Sequence, residues 1–141
     1  MNHKLDLSFR ETIVDHLVFF DENSTEIIDS YFLSDRSKFK EFYTTYTSEV
    51  EKFLTTLNTE GEVQDYIPKV FIGCKVLLNY IEDNEVEEYT ICFPELSDPD
   101  NGFISFLSPV GSQLLLRSAS EKMLLSTPGG ELKVIIKEIT F

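Results

Sequence analysis

The sequence predicts an α+β protein: an antiparallel helical hairpin, of coiled-coil character, followed by an antiparallel sheet with one short helix. Three observations carry this. No glycine precedes Gly61 and no proline precedes Pro68, whereas both recur afterwards. Breakers of that kind are avoided in helices and frequent in turns. Apolar residues step by three or four through the first part, the period of a helix face. Beyond Pro68, short β-branched and apolar runs alternate with Asp-, Asn-, Pro- and Gly-rich segments, as strands alternate with turns. The expected organisation is residues 1–66 as helical hairpin and linker, with Gly61–Pro68 as the linker itself, and residues 67–141 as the sheet domain.

In the first arm Phe9, Ile13, Leu17, Phe20, Ile27 and Tyr31 form an apolar stripe, which Val14 and Val18 widen. Asp21-Glu22-Asn23-Ser24 is polar, so the arm is expected to kink or restart at Ser24. The second arm is cleaner: Phe39, Phe42, Tyr46, Val50, Phe53 and Leu57 lie near a heptad seam. Ser34 or Asp35 between the arms suits an N-cap, because a side-chain oxygen there accepts an orphan backbone N–H. Neither arm buries its stripe alone, so the two should pack antiparallel.

In the second part Val70–Tyr80 and Glu87–Phe93 read as a hairpin about the Glu82-Asp83-Asn84-Glu85 turn. Ser97-Asp98-Pro99-Asp100-Asn101-Gly102 is loop chemistry, and Phe103–Leu107 a short strand. Ser108-Pro109 resembles an N-cap followed by the first helical position, where the missing proline N–H is harmless. The helix is expected from Val110 to about Arg117. Met123–Ser126 and Leu132–Ile139, joined at Thr127-Pro128-Gly129-Gly130, complete a second hairpin.

The chain has 141 residues and a formal charge of −13. Such an acidic chain is repelled by bare nucleic acid unless it carries a local basic patch, and no direct sequence-specific nucleic-acid binding is expected. Proteins with basic surfaces, or metal ions, are the chemically matched partners. No apolar stretch approaches the roughly 18–20 residues of a membrane span, and the N-terminus lacks a signal peptide's apolar core. The expected location is the cytoplasm. Cys74 and Cys92 are too few for a zinc cluster. Both read as buried reduced thiols, with a cross-strand disulfide as the alternative. His3 and His16 stand outside any acid–base constellation and read as surface or helix residues. No metal site, cofactor or catalytic residue is expected.

Ile104-Ser105-Phe106-Leu107-Ser108-Pro109-Val110-Gly111-Ser112-Gln113-Leu114-Leu115, followed by Thr127-Pro128-Gly129-Gly130-Glu131, resembles the C-terminal domain of the Gre transcription elongation factors. Gly73-Cys74-Lys75-Val76 and Glu88-Tyr89-Thr90-Ile91 resemble that domain's first hairpin. The resemblance implies an FKBP-like C-terminal fold that docks on bacterial RNA polymerase at the rim of its secondary channel, with the helical hairpin pointing down the channel. It implies polymerase contact by Ser108 and Pro109, with Leu107 before them. Gre factors often carry a polar or acidic residue where Leu107 stands, so the resemblance carries no polar contact over to Leu107, where an apolar contact could take its place.

Gre factors also use acidic residues at the hairpin tip to help hold a second magnesium ion for hydrolysis of backtracked RNA. The corresponding segment here is Phe32-Leu33-Ser34-Asp35-Arg36-Ser37-Lys38-Phe39. Asp35 matches the second acid, Phe32 replaces the first and Lys38 a third, while Arg36 and Lys38 place positive charge beside Asp35. The resemblance therefore implies a polymerase-binding accessory factor, of the Gre or the Rnk type, that gives little transcript cleavage and is not itself an enzyme. Two alternatives from other classes are an FKBP-like peptidyl-prolyl isomerase or chaperone, for which no aromatic-lined proline pocket is evident, and a helical-hairpin interaction module with another partner.

Overall fold

A computed structural model describes the backbone of residues 7–60 and 67–141 and the side chains of residues 9–56 and 67–141. The expected linker falls mostly on residues 61–66, which lie outside that description, as do His3 and the Leu57 side chain. Two compact units, Met1–Asp65 and Tyr66–Phe141, are taken separately.

The first unit holds α1 (Leu7–Glu22), α2 (Ser24–Tyr31) and α3 (Arg36–Glu60). The break between α1 and α2 falls at Asn23, whose side-chain amide donates to the Phe19 carbonyl at 3.1 Å. Phe9, Ile13, Phe20 and Ile27 from the first arm are buried, as are Phe39, Tyr46, Val50 and Phe53 from the second. Phe9 meets Phe53 at a ring-centroid distance of 5.8 Å. Phe20 meets Phe42 at 5.5 Å and Tyr46 at 6.1 Å, and Phe32 meets Phe39 at 5.6 Å. Advancing along the first arm thus moves backwards along α3, which makes the arms antiparallel. Edge-to-face ring pairs add about 0.5–1.5 kcal/mol each beyond their buried area. Val14 and Val18 correct the expected stripe: both are exposed, because Ile13, Leu17 and Phe20 already fill the sector that α3 covers.

The second unit is a five-stranded sheet, β1 (Lys75–Tyr80), β2 (Glu85–Cys92), β3 (Phe103–Ser105), β4 (Lys122–Thr127) and β5 (Gly130–Thr140), with α4 spanning Pro109–Leu114. Its strand order is β3-β2-β1-β5-β4. The sheet is mixed, which corrects the all-antiparallel expectation: β3 pairs parallel to β2, with Ile91 beside Ile104. Two single 3₁₀ turns, Pro94–Leu96 and Pro99–Asn101, return the chain before β3 begins. That crossover is what a parallel neighbour requires and a tight hairpin cannot supply. A register irregularity between Leu77 and Leu78 marks the β1–β5 pairing.

Two boundaries also differ from the expected ones. The apolar run from Val70 becomes strand only at Lys75, because Gly73 takes a left-handed φ of 99° and the preceding segment pairs elsewhere. The Val70 N–H donates to the Arg117 carbonyl at 2.9 Å, and the Leu116 N–H to the Val70 carbonyl at 2.7 Å. Those bonds also end α4 three residues early, with Leu116 at φ 67°. The core gathers Ile67, Phe71, Ile72, Val76, Leu78, Ile91, Phe106, Leu114, Leu125, Val134 and Ile136, all buried.

Cys74 and Cys92 are both free and buried. The Ile91 N–H donates to the Cys74 carbonyl at 2.9 Å, so Cys74 lies opposite Ile91. Cys92, the next residue, projects to the other face, which removes the disulfide alternative. Burial pushes the Cys74 thiol up to about 12.

Candidate functional site

The sheet unit's candidate site is the turn that leads into α4. It is built from two serines. The Ser105 hydroxyl accepts from the Leu107 N–H at 3.0 Å. The Ser108 N–H and hydroxyl both reach the Ser105 carbonyl, at 3.0 and 2.7 Å. The Ser108 oxygen then accepts from the Gly111 N–H at 3.0 Å, the bond of an N-cap. Pro109 is the first helical residue and exposed; Leu107 and Ser108 are half-buried. The three expected contact residues thus share one hydrogen-bonded turn, with Pro109 the most exposed of them.

Two residues of this turn were not singled out from the sequence. A Cβ added at Gly111 would fall 2.0 Å from the Ser105 carbonyl oxygen and 2.8 Å from the Ser108 hydroxyl, so only glycine lets the helix sit this close to the end of β3. Gln113 fastens the other side. Its amide nitrogen donates to the Pro109 and Ser126 carbonyls at 2.8 and 2.9 Å, and its amide oxygen accepts from the Ser126 N–H at 2.8 Å. The only sequence signal was a glycine two residues inside a helix that starts on proline; Gln113 gave none, because its partner is 13 residues away.

Beyond the helix, the Arg117 guanidinium donates to the Gln113 carbonyl at 2.9 Å and pairs with Glu121 at 2.8 Å. The Ser118 N–H, followed by Arg117, holds the Glu121 carboxyl below its ordinary range.

The hairpin tip is the second candidate site. Phe32 turns inward: its ring lies 5.6 Å from both Phe39 and Phe42. Leu33 and Ser34 are both left-handed, with φ of 51° and 64°. Asp35, rather than Ser34, caps α3 by accepting from the Lys38 N–H at 3.0 Å. Ser34 donates through its hydroxyl to Asp29 at 3.1 Å and through its N–H to the Ile28 carbonyl at 2.9 Å. Arg36 and Lys38 are exposed. Each of the two acids at this turn therefore commits an oxygen to holding the turn itself. Among the described residues, no group of three or more His, Cys, Asp or Glu side chains is gathered for a metal ion. No helix among the described residues is long and apolar enough to cross a membrane.

Comparison with known proteins places the sheet unit within a known family. A family profile for the C-terminal part of the GreA/GreB transcription elongation factors matches residues 64–141. The transcription elongation factor GreA of Shouchella clausii is 43% identical over 70 residues, 50% of this chain and 44% of that protein. GreA of Halalkalibacterium halodurans is 37% identical over 92 residues, 65% of this chain and 58% of that protein. The match spans about half the length of these relatives. Among solved structures, a GreA/GreB factor from Nitrosomonas europaea is 31% identical, covering 50% of this chain and 59% of that one, with a TM-score of 0.45. GreA factor homolog 1 of Thermus thermophilus is 19% identical, covering 96% of this chain and 92% of that one, with a TM-score of 0.48. With the whole sheet unit inside the match, the chain belongs to the GreA/GreB transcription elongation factor family.

Proposed function

We propose that this chain is an RNA polymerase-binding accessory regulator of transcription elongation that acts in the bacterial cytoplasm and gives little or no stimulation of transcript cleavage. On this reading residues 67–141 form an FKBP-like docking domain that seats at the rim of the polymerase secondary channel through Leu107, Ser108 and Pro109. Residues 1–66 supply a coiled-coil hairpin whose tip, Phe32, Asp35 and Arg36, enters the channel. The docking part is supported by the family match over residues 64–141 and by a turn closed by its own hydrogen bonds, an arrangement that leaves less to be ordered on binding.

The observation that carries the absence of cleavage is the use of the tip carboxylates. A second magnesium ion requires convergent oxygen ligands in near-octahedral array. Asp35 is committed to the Lys38 N–H and Asp29 to the Ser34 hydroxyl. Phe32, where the family has its first acid, offers no ligand atom and is packed among rings.

The test uses stalled, backtracked complexes of bacterial RNA polymerase. The full-length chain should bind core polymerase, leave the transcript uncut, and inhibit an authentic Gre factor by competition. Replacing Ser108 and Pro109 together should weaken binding. Robust cleavage by the wild-type chain, abolished by Asp35→Ala, would overturn the reading.

A further inference from the structure

We infer that Gln113 is a positioning residue for the docking turn: without being one of the contacts, it ties Pro109 to strand β4 and thereby sets the affinity for polymerase. The inference rests on the function proposed above and names what holds that site in its binding form.

The helix behind the turn is short. α4 has six residues, Pro109–Leu114, and a helix of that length is not stable by itself, because nucleation is costly and few bonds follow it. Its C-terminal end is anchored from outside. Leu114 is buried, and the Leu116 N–H donates to the Val70 carbonyl at 2.7 Å. The other end is held differently. The hydrogen bonds made by Leu107, Ser108 and Pro109 stay within residues 105–113. They give the turn its shape, but they tie it only to β3, one outer strand of the sheet. They leave open where Pro109, the most exposed of the three, lies relative to the opposite side.

Gln113 supplies the missing link, to the other outer strand. A side-chain amide has two N–H donors and an accepting oxygen. Here the nitrogen donates to the Pro109 carbonyl at 2.8 Å and to the Ser126 carbonyl at 2.9 Å, while the oxygen accepts from the Ser126 N–H at 2.8 Å. Both donors and the acceptor are used. A carboxylate of the same length keeps the acceptor and loses the donors. A leucine keeps the bulk and loses both.

These bonds contribute more to placement than to stability. Gln113 is half-buried and its three bonds lie at the surface, where water replaces a lost partner. What the link changes is the fraction of molecules whose turn is in place before binding. A site competent only part of the time shows its affinity reduced by that fraction. Loss of Gln113 should therefore lower affinity with little change in stability.

The test compares wild type with Gln113→Leu and Gln113→Glu in the full-length chain. Three quantities are read: Tm, hydrogen exchange of α4, and the association and dissociation rates with core RNA polymerase. Both variants should keep a Tm close to the wild-type value and keep protection at Leu114 and Leu115. Both should raise Kd at least fivefold, and the loss should lie in the association rate, because the turn is the same once seated. Wild-type affinity in either variant would overturn the inference while leaving the proposed function standing. So would a loss confined to the dissociation rate, which would make Gln113 a contact. A Tm several degrees lower with α4 protection gone would also overturn it, by making Gln113 a structural residue. Failure of the wild-type chain to bind polymerase would remove the proposed function and this role with it.

Discussion

The helical unit and the sheet unit solve the same problem with different parts. In the helical unit, rings from positions three, four or seven apart on one arm meet rings on the other, and Tyr46, Phe9 and Phe20 are fully buried. Cohesion there is side-chain volume. In the sheet unit the core is mostly aliphatic, and the turn into α4 depends on backbone proximity at Gly111 and on side chains bonded to backbone at Ser108 and Gln113. The first unit should therefore be sensitive to lost volume and the second to added atoms.

The largest expected effect lies in the helical unit. Phe20→Ala removes a fully buried ring that meets Phe42, Tyr43 and Tyr46 at 5.5, 6.3 and 6.1 Å, and should destabilise that unit by roughly 3–5 kcal/mol. Hydrogen exchange locates the damage: amides of α1 and α3 should lose protection while those of β1 and β5 keep theirs. Equal loss in both units would break the contrast.

The converse is Gly111→Ala. One added methyl collides with the Ser105 carbonyl, and overpacking of this kind costs about 1–3 kcal/mol. Urea unfolding should show the loss, with exchange faster around residues 105–113 and unchanged in α3. A neutral result would mean that α4 can lift from β3 freely.

Smaller effects come from the caps. Asp35→Ala and Ser108→Ala should each cost about 1 kcal/mol. Ser108→Ala should cost the more, since the hydroxyl also donates to the Ser105 carbonyl at 2.7 Å. Equal midpoints for the two variants would show that this second bond contributes little.

The smallest effect is on pH dependence, and it separates the units by where acid acts. Burial lowers the His16 imidazole, with Asp15 opposing; the folded helical unit resists a proton that the unfolded chain accepts. Its contribution is present above the unfolded value of about 6.5 and is lost as pH falls through the lower folded value. Glu121 is also lowered, by the Ser118 N–H first and Arg117 next. Its contribution holds above about 4.3 and is lost below that. Acidification should loosen the helical unit first. His16→Gln should flatten the upper part of the acid limb and Glu121→Gln the lower part, both followed by residue-resolved exchange. Loss in the opposite order would contradict these assignments.

The same contrast explains what the sequence made legible. Stripes in the two arms were readable because a helix brings residues three and four apart onto one face, so burial is written locally. Val14 and Val18 misled because periodicity defines a sector but not its width, which is set by how much of α1 the partner helix covers. In the sheet unit the strands β2, β4 and β5 and the Ser-Pro helix start were readable from turn residues. The parallel placement of β3 was not, since strand direction depends on how residues 93–102 fold back. Gln113 left no trace for a similar reason: its bonds are to backbone atoms of Ser126, and backbone has no sequence signature. At the tip, Asp35 as a cap followed from residue type, while the inward turn of Phe32 required the rings of Phe39 and Phe42 to be seen in place.

Gln113 has one more consequence. Strand β4 ends the sheet order, and an outer strand offers its outward N–H and C=O groups to any extended chain that passes. At Ser126 both groups are already taken, by the amide of Gln113 acting as a neighbouring peptide unit would. The sheet is thereby closed at that point by a side chain of its own molecule. The bonds that orient the helix are the same bonds that occupy the outer strand at Ser126, so one side chain both holds the turn before α4 and withdraws one pairing position from the edge of the sheet.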